Sequence, residues 1–161
     1  MTARRIGSTL CIATAITCAL LHAATFLTVV PALLILLPFF LMMGAILCAR
    51  AAQGWSVSAY RRTRSSMPKG KTAGLGWILL VYAVLLFVHF YRTSGGATSV
   101  GTVQGQYVYM NKSSVIRPIS EREYIMFGTQ IDRIMTVWIG MMAIFCLSSL
   151  INDANSPASA G

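Results

Sequence analysis

No Asp, Glu, Lys or Arg occurs between Ile6 and Ala49, a run of 44 residues. A single helix of that length would reach ~66 Å, about twice the hydrocarbon thickness of a bilayer. The run therefore reads as two spans folded back on each other, and the chain as an integral membrane protein. Charge is scarce overall: 11% of the 161 residues are charged, where soluble domains carry about 25%. Acids are scarcer still, with 4 Asp+Glu against 13 Lys+Arg. None of the four acids lies inside an apolar span, which argues against ion coupling through carboxylates at membrane depth.

Cysteine is confined to positions 11, 18, 48 and 146, all within apolar runs. A disulfide framework and a CxxC zinc site are therefore not expected, and the four read as small packing residues. No G-x-S-x-G or H-E-x-x-H occurs. Gly70-Lys71-Thr72 mimics the end of a phosphate-binding loop, but the first glycine would fall on Ser65 and no strand precedes it. Glu121 and Glu123 point apart on a helix, so they read as caps rather than a catalytic pair. No catalytic residues are assigned, and the chain reads as a non-enzyme without a cofactor.

The apolar runs place spans at Ile6–Leu27, Ala32–Ala49, Ala73–Tyr91 and Ile134–Ile151. A turn near Phe26–Pro31 separates the first two, and Pro38 falls within the second. Trp77, Tyr82, Phe90, Tyr91 and Trp138 sit toward span ends, as aromatic belts do. The expected architecture is an all-α integral membrane protein of four transmembrane helices. A small extracytoplasmic β-hairpin and an amphipathic helix separate the third from the fourth. The corresponding divisions are 1–91 with a basic loop at 50–72, an outer segment at 92–133, a last helix at 134–151 and a flexible tail at 152–161.

Orientation follows the placement of Lys and Arg. Arg4, Arg5 and Arg50 share one side with Arg61, Arg62, Arg64, Lys69 and Lys71, in segments without any acid. The five remaining basic residues on the other side are diluted by Glu121, Glu123 and Asp132. Both termini are thus expected in the cytoplasm. Arg61, Arg62, Arg64, Lys69 and Lys71, beside Trp55 and Tyr60, suit anionic lipid headgroups better than nucleic acid. The basic start and apolar run of Met1–Phe26 also fit a signal peptide. The apolar part is long and no small-x-small site precedes a polar segment, so span one is expected to be retained.

The outer segment opens with Thr93–Gly105, rich in Gly, Ser and Thr and read as a flexible lead. Gln106–Met110 has strand composition, Asn111–Ser114 suits a turn with Asn111 left-handed, and Val115–Ile119 is a return strand that Pro118 restricts to an edge. Ser120 and Glu123 have capping-box spacing and start a helix. Tyr124, Phe127, Ile131 and Ile134 share one of its faces, and Gly128 is a bend point.

Gly105-Gln106-Tyr107-Val108, Ile119, Glu123-Tyr124, Arg133 and Trp138 together resemble a group of small uncharacterised bacterial inner-membrane proteins. Those share G-x-Y, I-[ST]-x-x-E-Y and R-x-x-x-x-W ahead of a last span. The resemblance covers Gly105–Ile144, about a quarter of the chain. It implies a bacterial origin and this topology, and carries no activity.

Three functional classes compete. The favoured one is an accessory or interaction protein of the bacterial inner membrane, such as an immunity protein or a small subunit of an envelope complex. It would bind a membrane or periplasmic protein through Tyr107, Tyr109, Arg117, Tyr124 and Phe127. The second is an oligomeric channel. Here Cys11, Ala15, Ala19 and Ala23 form a small-residue packing stripe, with Thr14, Cys18 and His22 lining the pore. The third is a haem- or metal-binding subunit using His22 and His89, placed at similar depth by their distances from the span starts.

Overall fold

The computed structural model describes residues 2–53 and 71–154. Four helices, α1 (Ala3–Ala24), α2 (Ala32–Gln53), α3 (Lys71–Thr93) and α4 (Glu121–Ala154), account for most of them. All four are long and apolar enough to cross a membrane. Between α3 and α4 lie β1 (Ser99–Val103), β2 (Gln106–Asn111) and β3 (Ser114–Pro118). Most of the basic loop, including Arg61, Arg62, Arg64 and Lys69, falls outside the described residues, as does residue 155 onward. Lys71 opens α3.

Helices α1, α2 and α4 form the bundle core. Cys18, Met42, Ile139 and Ala143 make one layer, and Cys11, Ala45 and Leu150 the next. Close approach depends on glycine at two points. A Cβ on Gly140 would stand 3.2 Å from Cys18 Cβ, and one on Gly7 would stand 3.2 Å from Cys48 Cβ. Pro38 lies inside α2 with its side chain buried. Helix α3 packs on α4 instead, where Phe145 fills the space over Gly76 and meets Trp77 edge-on at 5.6 Å. Half of the apolar window of α4 is buried, against 11% of that of α3.

The seam of α1 is Gly7, Cys11, Thr14 and Cys18, which are its buried residues. This corrects the expected stripe. Ala19 and Ala23 are exposed, and Thr14 and Cys18 face inward. A strict four-residue repeat advances ~40° per step at 3.6 residues per turn, so it wanders off a straight seam. Alternating steps of four and three hold the line.

Helix α4 is one continuous element of 34 residues, not a separate amphipathic helix followed by a span. At ~51 Å it exceeds a ~30 Å hydrocarbon core by several turns. Gly128 lies within it and has no neighbour that an added Cβ would touch. The expected capping box forms. Glu123 N–H donates to Ser120 Oγ at 3.2 Å, and Ser120 N–H donates to Glu123 Oε2 at 2.9 Å.

The hairpin is a three-stranded antiparallel sheet of order β1-β2-β3. The segment read as a flexible lead holds the end of α3 and all of β1. Gly95 and Gly96 take φ +60° and +79° and close α3 with bonds to the Arg92 and Tyr91 carbonyls, a left-handed helix stop. Gln104 and Gly105 then form a two-residue turn with both φ positive, which matches the twist of the strands it joins. At the second turn the left-handed residue is Lys112 (φ +55°) rather than Asn111. Strand β3 is the expected edge. Tyr109 pairs with Arg117 and Met110 with Val115, so Ile116 is an extra residue, a bulge.

Candidate functional site

Two sites emerge at the end of the bundle that carries the sheet. The first is built by Tyr107 and Tyr109, which alternate onto the face of β2 toward α4. Tyr124 and Phe127, one turn apart on α4, meet them: Tyr107 and Tyr124 rings lie 4.7 Å apart, Tyr109 and Phe127 5.6 Å. Phe90 of α3 closes on Phe127 at 5.0 Å. The Ile116 bulge sets Arg117 opposite Tyr109, with its guanidinium 4.9 Å from the ring centre. Arg117 also pairs with Glu123 at 2.6 Å. The Arg117 guanidinium and then the Ser120 N–H hold the Glu123 carboxyl down at about 2. Burial, followed by the Glu123 charge, raises the Tyr109 phenol.

All five residues expected to bind a partner are thus brought together, but onto one another. Tyr109 and Phe127 are 6% and 3% exposed and form the core of the sheet unit with Ala97. A two- or three-stranded sheet this small needs such a backing to be stable, and these aromatics supply it. The opposite face of the sheet is partly open: Val108 at its centre is buried, and the exposed apolar side chains lie on the flanking strands. Alternation puts Gln106, Val108 and Met110 there, together with their cross-strand partners Val103, Gly101, Pro118 and Val115. Val103 and Val115 are exposed, and so is the bulged Ile116. Period-2 alternation on β2 is visible in the sequence. The register and the bulge, which decide what shares each face, are not.

The second site is centred on His22. Thr136 Oγ1 lies 2.9 Å from the Asp132 and Arg133 carbonyls and commits its proton there. It therefore accepts from His22 Nδ1 at 3.2 Å, which leaves Nε2 to accept from the Tyr82 hydroxyl at 3.0 Å. One turn on, Arg133 donates through Nε to Thr25 Oγ1 and through Nη2 to the Thr25 carbonyl. Its guanidinium stacks 4.1 Å over Phe26. Helices α1, α3 and α4 are joined by this one polar network.

His22 and His89 do not converge. Both nitrogens of His22 are engaged, and its α3 partner Tyr82 lies seven residues before His89, ~10 Å of helix rise. His89 is exposed. The two histidines therefore differ in depth by about two turns, because α3 begins further along the bundle axis than the span count assumed. Among the described residues no three His, Cys, Asp or Glu side chains cluster to hold a metal ion. The pore-lining set of the channel reading is turned into the monomer: Thr14 and Cys18 are buried, Cys18 packs against Ile139 and Ala143, and His22 bonds to Thr136. Tyr82 and Thr136 were missed as its partners. The available signal was that polar groups within spans are few and seek one another.

No family model, no curated protein and no solved structure matches this chain.

Proposed function

We propose that the chain is a non-enzymatic accessory protein of the bacterial inner membrane that engages a protein partner through its extracytoplasmic sheet. An immunity protein and a small subunit of an envelope complex both fit this class. The observation that carries the reading is the outward face of the sheet. Val103 and Val115 are exposed there, and the bulged Ile116 is exposed on the same strand as Val115, on a unit whose inner face holds Tyr107, Tyr109, Tyr124 and Phe127. A small outer unit built only to connect two helices has no need of apolar side chains on both faces. The partner contact accordingly moves from the five aromatic and basic residues to the opposite face, with a partner presenting its own apolar patch.

Photo-reactive side chains placed at Val115 and at Tyr109 in native membranes test this. Adducts to a second protein are expected from Val115, and none from the buried Tyr109. Absence of any adduct from Val115 and Val103, while a known membrane complex is captured in parallel, would overturn the proposal.

A further inference from the structure

Helix α3 packs on α4, and its bond to α1 is the Tyr82 hydroxyl on His22 Nε2 at 3.0 Å. That bond needs an imidazole without a proton on Nε2. Nδ1 carries the ring proton, because Thr136 Oγ1 has spent its own on the Asp132 and Arg133 carbonyls and can only accept. The ring also makes T-shaped contacts with Phe26 at 5.4 Å and Tyr82 at 5.6 Å. It is half-buried, so a proton can reach it from the end of the bundle that carries the sheet. The charges nearby are set against a second cation. The Arg133 guanidinium of α4 lies 4.1 Å from the centre of the Phe26 ring that His22 touches. The last turn of α1 favours one cation, and Arg133 already meets that need at the Thr25 carbonyl. Asp132 of α4 bonds to Thr136 through its backbone carbonyl, and among the described residues no carboxylate bonds to Arg133 or His22. Helix α2 carries no charge before Arg50, and on α3 the other titratable groups near the sheet end are His89, Tyr91 and Arg92, all beyond Tyr82 by two turns or more.

We infer that His22 is a proton-operated latch between α1 and α3: the neutral ring holds Tyr82, and protonation releases it. A proton on Nε2 turns that nitrogen from acceptor to donor. The Tyr82 hydroxyl must then withdraw its own proton from the bond, and among the described residues it has no second acceptor. The new charge also faces Arg133 across Phe26. The latch contributes while the ring is neutral, above the ordinary histidine value near 6.5, and is lost as pH falls below it. The release travels along α3. Phe90, about two turns beyond Tyr82, closes on Phe127 at 5.0 Å, and Phe127 in turn backs Tyr109 of the sheet. Acidification at the sheet end therefore loosens one wall of the sheet's own core.

Amide exchange of the full-length protein in nanodiscs of phosphatidylethanolamine and phosphatidylglycerol, corrected for the intrinsic pH dependence of exchange, tests the latch. Between about pH 7.5 and about pH 5 the amides from Tyr82 to Thr93 are expected to lose protection about fivefold, the weight of one hydrogen bond, while those of α2 hold. Imidazole spectra of the histidine-labelled protein report the cause. The His22 ring should pass from one proton, on Nδ1, to two, in step with α3. His22→Gln and Tyr82→Phe should each remove the pH response, and His89→Gln should keep it. An α3 indifferent to pH across that window would overturn the inference. So would a response that persists in folded His22→Gln, or one that is lost in His89→Gln. Where a variant does not fold, the wild-type spectra decide: a response of α3 while the His22 ring stays neutral overturns the latch as well.

Discussion

Arg4 and Arg133 stand at opposite ends of the antiparallel α1–α4 pair, and each binds a carbonyl near the C-terminal end of the other's helix. Arg4 of α1 donates through Nε and Nη2 to the Leu150 carbonyl, and Arg133 of α4 donates to the Thr25 carbonyl. The Thr25 carbonyl lies at the cap of α1 beyond its last intrahelical bond, and carbonyls near a helix C-terminus carry the negative end of the dipole, so a cation is favoured at each place. Replacing Arg133 by Ala is expected to destabilise the bundle by about 1.5–3 kcal/mol, the range for charge-assisted bonds. Arg133→Lys should recover only part of this, since an ammonium cannot supply the fork that spans Thr25 Oγ1 and its carbonyl. Denaturation in mixed micelles measures both.

The α1 seam predicts opposite outcomes for two small-to-large changes. Gly140→Leu drives a side chain into Cys18 and should cost about 1–3 kcal/mol. Ala19→Ile, on the exposed side of α1, should change monomer stability by less than about 0.5 kcal/mol. A large loss at Ala19 would mean that the seam runs along the alanines after all.

Tyr82→Phe removes the hydroxyl that joins α3 to His22 while keeping the ring, which meets the imidazole edge-on at 5.6 Å. The expected loss is about 1 kcal/mol, with faster amide exchange confined to α3. Uniform faster exchange in all four helices would contradict the peripheral place of α3.

The pair Arg117–Glu123 makes the sheet unit acid-sensitive. The Glu123 carboxyl is depressed in the folded protein, so its stabilising contribution is full above its ordinary value near 4.5. That contribution is lost as pH falls from there to about 2. Amides of β3 should lose exchange protection across that window at low ionic strength, and Glu123→Gln should flatten the response. Salt should weaken it as well, because both side chains are partly exposed.

Topology has its own test. A reporter active only outside the cytoplasm is expected to be active when fused after Gly105 and silent after Lys69. The reverse pattern would overturn the proposed orientation.

Helices α1 and α2 were legible because a charge-free run of 44 residues admits few alternatives, and the capping box was legible because Ser120 and Glu123 act within one turn. Strand β1 was not. Its composition is Gly, Ser, Thr and Val, and it becomes a strand by pairing with β2. The seam of α1 was missed because small side chains at a four-residue spacing look aligned on paper and drift in space. The aromatic site was legible residue by residue, and the structure adds that Tyr109 and Phe127 are buried in it while Arg117 stays exposed. Nothing in Tyr109 or Phe127 alone says whether the neighbour is another chain or each other.

The place of α4 also orders the birth of the molecule. The helix made last is the one that touches α1, α2, α3 and β2. Spans can insert one at a time and assemble afterwards. The α1–α2 pair can therefore form early, while α3 has little to pack against beyond the His22–Tyr82 contact and the sheet has no backing until Tyr124 and Phe127 arrive. A ribosome halted before Glu121 would leave a paired hairpin, a solitary helix and an unsupported ribbon. Quality-control proteases would meet these as separate pieces, and the final helix is what turns them into one substrate that resists cleavage.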